Sequence, residues 1–75
     1  MPNLPGLTAQ KVVKALRHAG FIEDRQKGSH LVLINKRLKA RTVVPMHAGK
    51  TIKKPLLKVI INDAKLTVEE FLMLL

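Results

Sequence analysis

Leu31-Val32-Leu33-Ile34 is an unbroken apolar run, set between a Lys27-Gly28-Ser29 turn signal and Asn35. Bounded so tightly and partly β-branched, the stretch from Ser29 to Asn35 reads as a strand. Side chains alternate across a strand, so His30, Val32 and Ile34 point one way and Ser29, Leu31 and Leu33 the other. Past the first residue, both sets are apolar. A small sheet with helices on one side can bury only one of them fully. The second set then forms an apolar patch on the open face, marking a protein interface unless a long loop or the C-terminal helix covers it.

The remaining segments arrange themselves around this strand. Met1 to Gly6 holds two prolines and a glycine and reads as a loosely attached start. Thr8 is placed to cap a helix whose inward stripe is Ala9, Val12, Val13, Leu16 and Ala19, with Gly20 as its left-handed stop. Phe21–Gln26 is a short, weak strand. Asn35–Ala40 is a basic connection, and Arg41–Met46 a third strand that Pro45 ends or pushes to an edge. Short loops make the three strands an antiparallel meander. A further helix starts near Pro55 with Leu56, Val59, Ile60 and Ala64 inward. Thr67 and Glu70 have capping-box spacing for a last helical turn, with Leu66 and Phe71 placed as its hydrophobic staple. The expected fold is α+β: one domain over residues 1–75, a three-stranded antiparallel sheet, and helices packed on one face.

Charge narrows the partners. Among 75 residues, 14 Lys and Arg face 5 Asp and Glu, a formal charge of +9. Such an excess opposes compaction and favours polyanions: nucleic acid, an acidic protein or an anionic membrane surface. The chain has no cysteine, which rules out a disulfide and fits a reducing compartment. No basic-then-apolar leader opens the chain, and its apolar runs are too short to span a bilayer, so the default location is the cytoplasm.

The motif inventory excludes several chemistries. His18, His30 and His47 are widely spaced and have no cysteines to complete a zinc set, and the acids are too few and scattered for magnesium. No Gly-rich phosphate loop or other cofactor motif is present. Ser29 and His30 are adjacent, so on a strand they diverge and cannot build a triad. With two phenylalanines and no Tyr or Trp, the sheet lacks the aromatics of stacking RNA modules. A basic platform of the double-stranded-RNA-binding kind remains open. So does RNA cleavage without a metal, which needs a base for the 2′-OH, an acid for the 5′-oxygen and cations for the phosphorane. Histidine suits the proton steps. Lys27 and the connection residues Lys36, Arg37, Lys39 and Arg41 are candidate phosphate contacts. Gly28 would let phosphate approach its backbone. Read from the residues alone, His30 stays open between this role and that of an ordinary strand-end histidine.

Three segments, taken together, resemble a known family. Gly28-Ser29-His30 opens the second strand, Val44-Pro45-Met46-His47 follows the third, and Leu66-Thr67-Val68-Glu69-Glu70-Phe71 closes the chain. In this order they are similar to HicA-type toxins, and the likeness runs through nearly the whole chain after residue 6. The resemblance implies a double-stranded-RNA-binding-domain-like fold, α-β-β-β-α. It implies a ribosome-independent endoribonuclease that cuts mRNA and is neutralised by a HicB-type antitoxin, with His30 as the catalytic residue. His47 matches a second family position whose role stays open between a strand-end hydrogen bond, RNA contact and a second proton transfer. Lys27, Gly28, Ser29, Lys36, Arg37, Lys39, Arg41 and His47 form the expected RNA-binding set. One departure is Lys54-Pro55, where the family carries a Gly-Thr or similar pair; proline still permits a helix start. The alternative is a non-catalytic RNA-binding module on the same fold. A third possibility is a small structural partner whose charge serves only protein binding.

Overall fold

The computed structural model describes residues 4–75. The element order is β1 (Leu7–Thr8), α1 (Ala9–His18), β2 (Ile22–Lys27), β3 (His30–Asn35), β4 (Ala40–Pro45), β5 (Thr51–Ile52), α2 (Lys54–Asp63) and α3 (Val68–Leu72). Strands β2, β3 and β4 make an antiparallel sheet in that spatial order, with helices against one face. The architecture is the α+β one expected. Of the loosely attached start expected at residues 1–6, residues 1–3 lie outside the described residues. Leu4 is buried in the core.

Local signals in the sequence set the helix ends. Thr8 caps α1, its hydroxyl accepting from the Lys11 N–H at 3.4 Å. At the other end Gly20 is left-handed, with φ +100°. Its N–H donates to the Arg17 carbonyl and that of Phe21 to Leu16, which satisfies two carbonyls the helix would otherwise leave unpaired. Thr67 and Glu70 form the reciprocal capping box of α3, at 2.8 and 3.0 Å.

Register decides which residues share a face. Leu31 pairs with Val44, Leu33 with Thr42 and Asn35 with Ala40, and all six are buried against the helices. The two polar members are satisfied: Thr42 Oγ1 donates to the Ile60 carbonyl at 3.0 Å, tying β4 to α2. Asn35 Nδ2 donates to the Ala19 carbonyl and its Oδ1 accepts from the Leu38 N–H, both at 3.0 Å. The opposite face carries His30, Val32 and Ile34, flanked by Ile22, Arg25 and Lys27 on β2 and Arg41, Val43 and Pro45 on β4. Val32 is buried by its neighbours without belonging to the helix-packed core. His30 is exposed, Ile34 half-buried and Ile22 exposed. The open face therefore keeps an apolar strip, shielded at its centre and accessible at its edges.

One expectation needs correction. The inward stripe of α2 is Leu57, Ile60, Ile61 and Ala64, whereas Leu56 and Val59 are exposed. Leu56, Leu57, Val59, Ile60 and Ile61 are all apolar, so helical spacing fits either face and packing chooses between them. The fold also holds a short ladder of β1 against β5, Leu7 opposite Ile52 and Thr8 opposite Thr51. It joins the segment before α1 to the segment before α2 and buries Leu7 and Ile52.

Candidate active site

The site is built from the hairpin between β2 and β3. Lys27 pairs with His30, leaving Gly28 and Ser29 as a two-residue turn. Gly28 takes φ +60°, which glycine adopts without the steric cost an L side chain meets there. A Cβ at Gly28 would find nothing within 4 Å, so its backbone faces open space. Gln26 Nε2 donates to the Gly28 carbonyl at 3.2 Å, and the Met46 N–H donates to the Ser29 carbonyl. The turn is thus held by its own strand and by the segment leaving β4.

That second bond matters for the histidines. His30 pairs with Pro45 across the sheet, and His47 follows two residues later. His30 and His47 are both exposed at the same end of the sheet, beside exposed Lys27 and Gly28 and half-buried Ser29. Among the described residues, only His18 uses its ring in a hydrogen bond, Nδ1–H donating to the Leu74 carbonyl at 2.9 Å. The His47 ring makes none; its backbone carbonyl accepts from the Lys50 N–H. Lys50 and Lys53 stand beside His47 around a cleft that Pro45 and Leu56 also line. These two lysines lie outside the expected RNA-binding set; their signal in the sequence is the basic stretch Lys50–Lys54.

The other expected contacts are elsewhere. Lys36, Arg37 and Lys39 sit in the turn between β3 and β4, at the opposite end of the sheet from His30. Five residue steps separate His30 from Asn35, roughly 17 Å at the rise of an antiparallel strand. Arg41 pairs with Ile34 and shares the face of His30, but lies near that far end. The expected set is therefore two basic groups, not one. The ion pairs among the described residues are Arg17 with Glu23 and Arg25 with Asp24, which leaves Lys27, Lys36, Arg37, Lys39 and Arg41 without carboxylate partners there. No three His, Asp or Glu side chains gather as a metal set among the described residues.

A family model described as the HicA toxin of bacterial toxin–antitoxin systems matches residues 9–66. The chain belongs to the HicA toxin family. The matched span takes in the Gly28-Ser29-His30 turn and the Val44–His47 segment, the two parts that meet at one end of the sheet. It stops just before the Thr67 capping box of α3. No curated protein matches the chain. Membership gives the chain a toxin's role in a toxin–antitoxin pair. No helix among the described residues of this HicA family member is long and apolar enough to cross a membrane.

Proposed function

We propose that this HicA family member is a ribosome-independent endoribonuclease that cleaves mRNA through His30 and is held inactive by a HicB-type antitoxin. The observation that carries the reading is the exposed, unengaged His30 ring beside an open glycine turn, at the end of the sheet that also bears Lys27 and His47. A base removes the 2′-OH proton and the 2′-oxygen attacks the adjacent phosphorus. The bond from phosphorus to the 5′-oxygen then breaks, and an acid protonates that oxygen. His30 serves one of these two proton transfers, a contribution of typically about 10² to 10⁴ in rate. Lys27 and the Gly28–Ser29 backbone stabilise the phosphate, and His47 contacts the RNA. Lys36, Arg37, Lys39 and Arg41 engage the chain several nucleotides away from the scissile bond.

The same face suits an inhibitor. An acidic antitoxin surface complements a chain of charge +9 and speeds its association. The strip around Ile22, Ile34 and Val43 supplies the apolar contact that slows release, and an antitoxin that spans the face from there to Lys27 also covers His30.

The test is growth arrest, and in vitro cleavage of RNA in EDTA, by wild type and His30→Ala. Cleavage by wild type alone supports the assignment. Equal cleavage by both removes His30 from the chemistry, and retained RNA binding without cleavage by either protein indicates a binding module.

A further inference from the structure

We infer, on the ribonuclease reading above, that single-stranded RNA reaches His30 through a continuous groove that bends around the end of the sheet. Three depressions share their walls. The first, about 520 Å³, lies between α1 and β2, with Lys14 and Gln26 among its walls. The second is a neck of about 110 Å³, which shares Gln10 and Met46 with the first. The third, about 310 Å³, shares His47 with the neck and reaches Lys50, Lys53 and Pro45. Pro45, on the wall of the third depression, is the cross-strand partner of His30, so the path reaches the strand end that bears that ring.

Charge and shape agree on the ligand. Lys14, Lys50 and Lys53 line the path and have no carboxylate partner among the described residues. The one carboxylate on its wall, Glu23, is engaged by Arg17. The path starts beneath α1, where Leu31 lies, and turns past the end of the sheet to the space between Pro45, β5 and the start of α2. It makes that bend within a molecule of 32 × 30 × 17 Å. A double helix is stiff over far longer distances, on the order of 50 nm for DNA, whereas one strand can follow the bend. Single strands also expose their bases and pass a narrow neck.

The test uses a fluorescently labelled 12-nucleotide single-stranded RNA and its blunt duplex. Binding is followed by anisotropy in the His30→Ala background, so that the RNA stays whole. Lys50→Ala/Lys53→Ala is compared with Lys36→Ala/Arg37→Ala, each pair removing two charges. The groove pair is expected to lose roughly tenfold in affinity and to flatten the salt slope by about 1.4, at about 0.7 per phosphate contact on a single strand. The turn pair meets the RNA several nucleotides from His30 and should lose less affinity than the groove pair, and Lys50→Arg/Lys53→Arg should restore binding. An equal or larger loss in the turn pair overturns the groove, as does duplex binding as tight as single-strand binding. If the groove pair, with His30 intact, cuts and binds RNA as wild type does, the groove fails and the ribonuclease reading stands. If wild type neither binds nor cuts RNA, both fall.

Discussion

The two faces of β3 carry nearly the same kinds of residue and meet different fates. Leu31 and Leu33, at 4% and 0% exposure, lie beneath the helices. Val32 on the other face is almost as hidden, at 6%, although no helix lies over it. Its cross-strand partners Arg25 and Val43 flank it. The central position of a central strand is thus shielded from both sides, while Ile34 and Ile22 keep contact with solvent. Burial on the covered face comes from layers of structure, and on the open face from strand neighbours alone. One face is committed to stability, and the other leaves His30 and an apolar strip open to solvent.

Four substitutions test that division, taken from the largest expected effect. His30→Ala should lower RNA cleavage by about 10² to 10⁴ while shifting urea stability by no more than about 0.5 kcal/mol. A large stability loss in the same preparation would mean that this end of the open face is structural after all. Leu33→Ala removes a side chain with no solvent contact and should cost about 2–5 kcal/mol in urea melts. A cost below 1 kcal/mol would erase the contrast between the faces. Asn35→Ala deletes the groups that satisfy the Ala19 carbonyl and the Leu38 N–H and should cost about 1–3 kcal/mol. Retained stability there would show that water replaces both bonds. Ile34→Ala should cost under about 1.5 kcal/mol in the free toxin, since it loses only half-buried surface. The same change should slow no cleavage but weaken antitoxin binding by calorimetric titration. Unchanged affinity would remove the strip from the antitoxin interface.

Much of the fold was legible where a residue type has a local mechanical reason to be where it is. Thr8, Gly20 and the Thr67–Glu70 pair each satisfy specific backbone groups, so their meaning does not depend on distant contacts. The middle strand was equally plain from its bounded apolar run. The β1–β5 ladder was not, because two residues per strand leave no alternation to detect. Nor was the buried face of α2, where five apolar residues within six positions erase the distinction between sides. The candidate site divided the same way. The Gly28-Ser29-His30 turn declared itself through glycine and the strand boundary. Lys36, Arg37 and Lys39 follow the strand closely in sequence, yet the strand's own length carries them away from His30. Lys50 and Lys53, distant in sequence, come to that end because β5 pairs back onto β1.

The β1–β5 ladder also has a kinetic meaning. It fastens the segment bearing His47, Lys50 and Lys53 through only two residue pairs, whereas β3 is held to β4 by six. Ladders of so few pairs belong to the low end of local opening free energies. Amide exchange should therefore proceed first at Thr51 and Ile52 and last at Leu31 and Leu33. The toxin would then have a firm half bearing His30 and a fraying half, so one wall of its candidate RNA path can open while His30 stays in register.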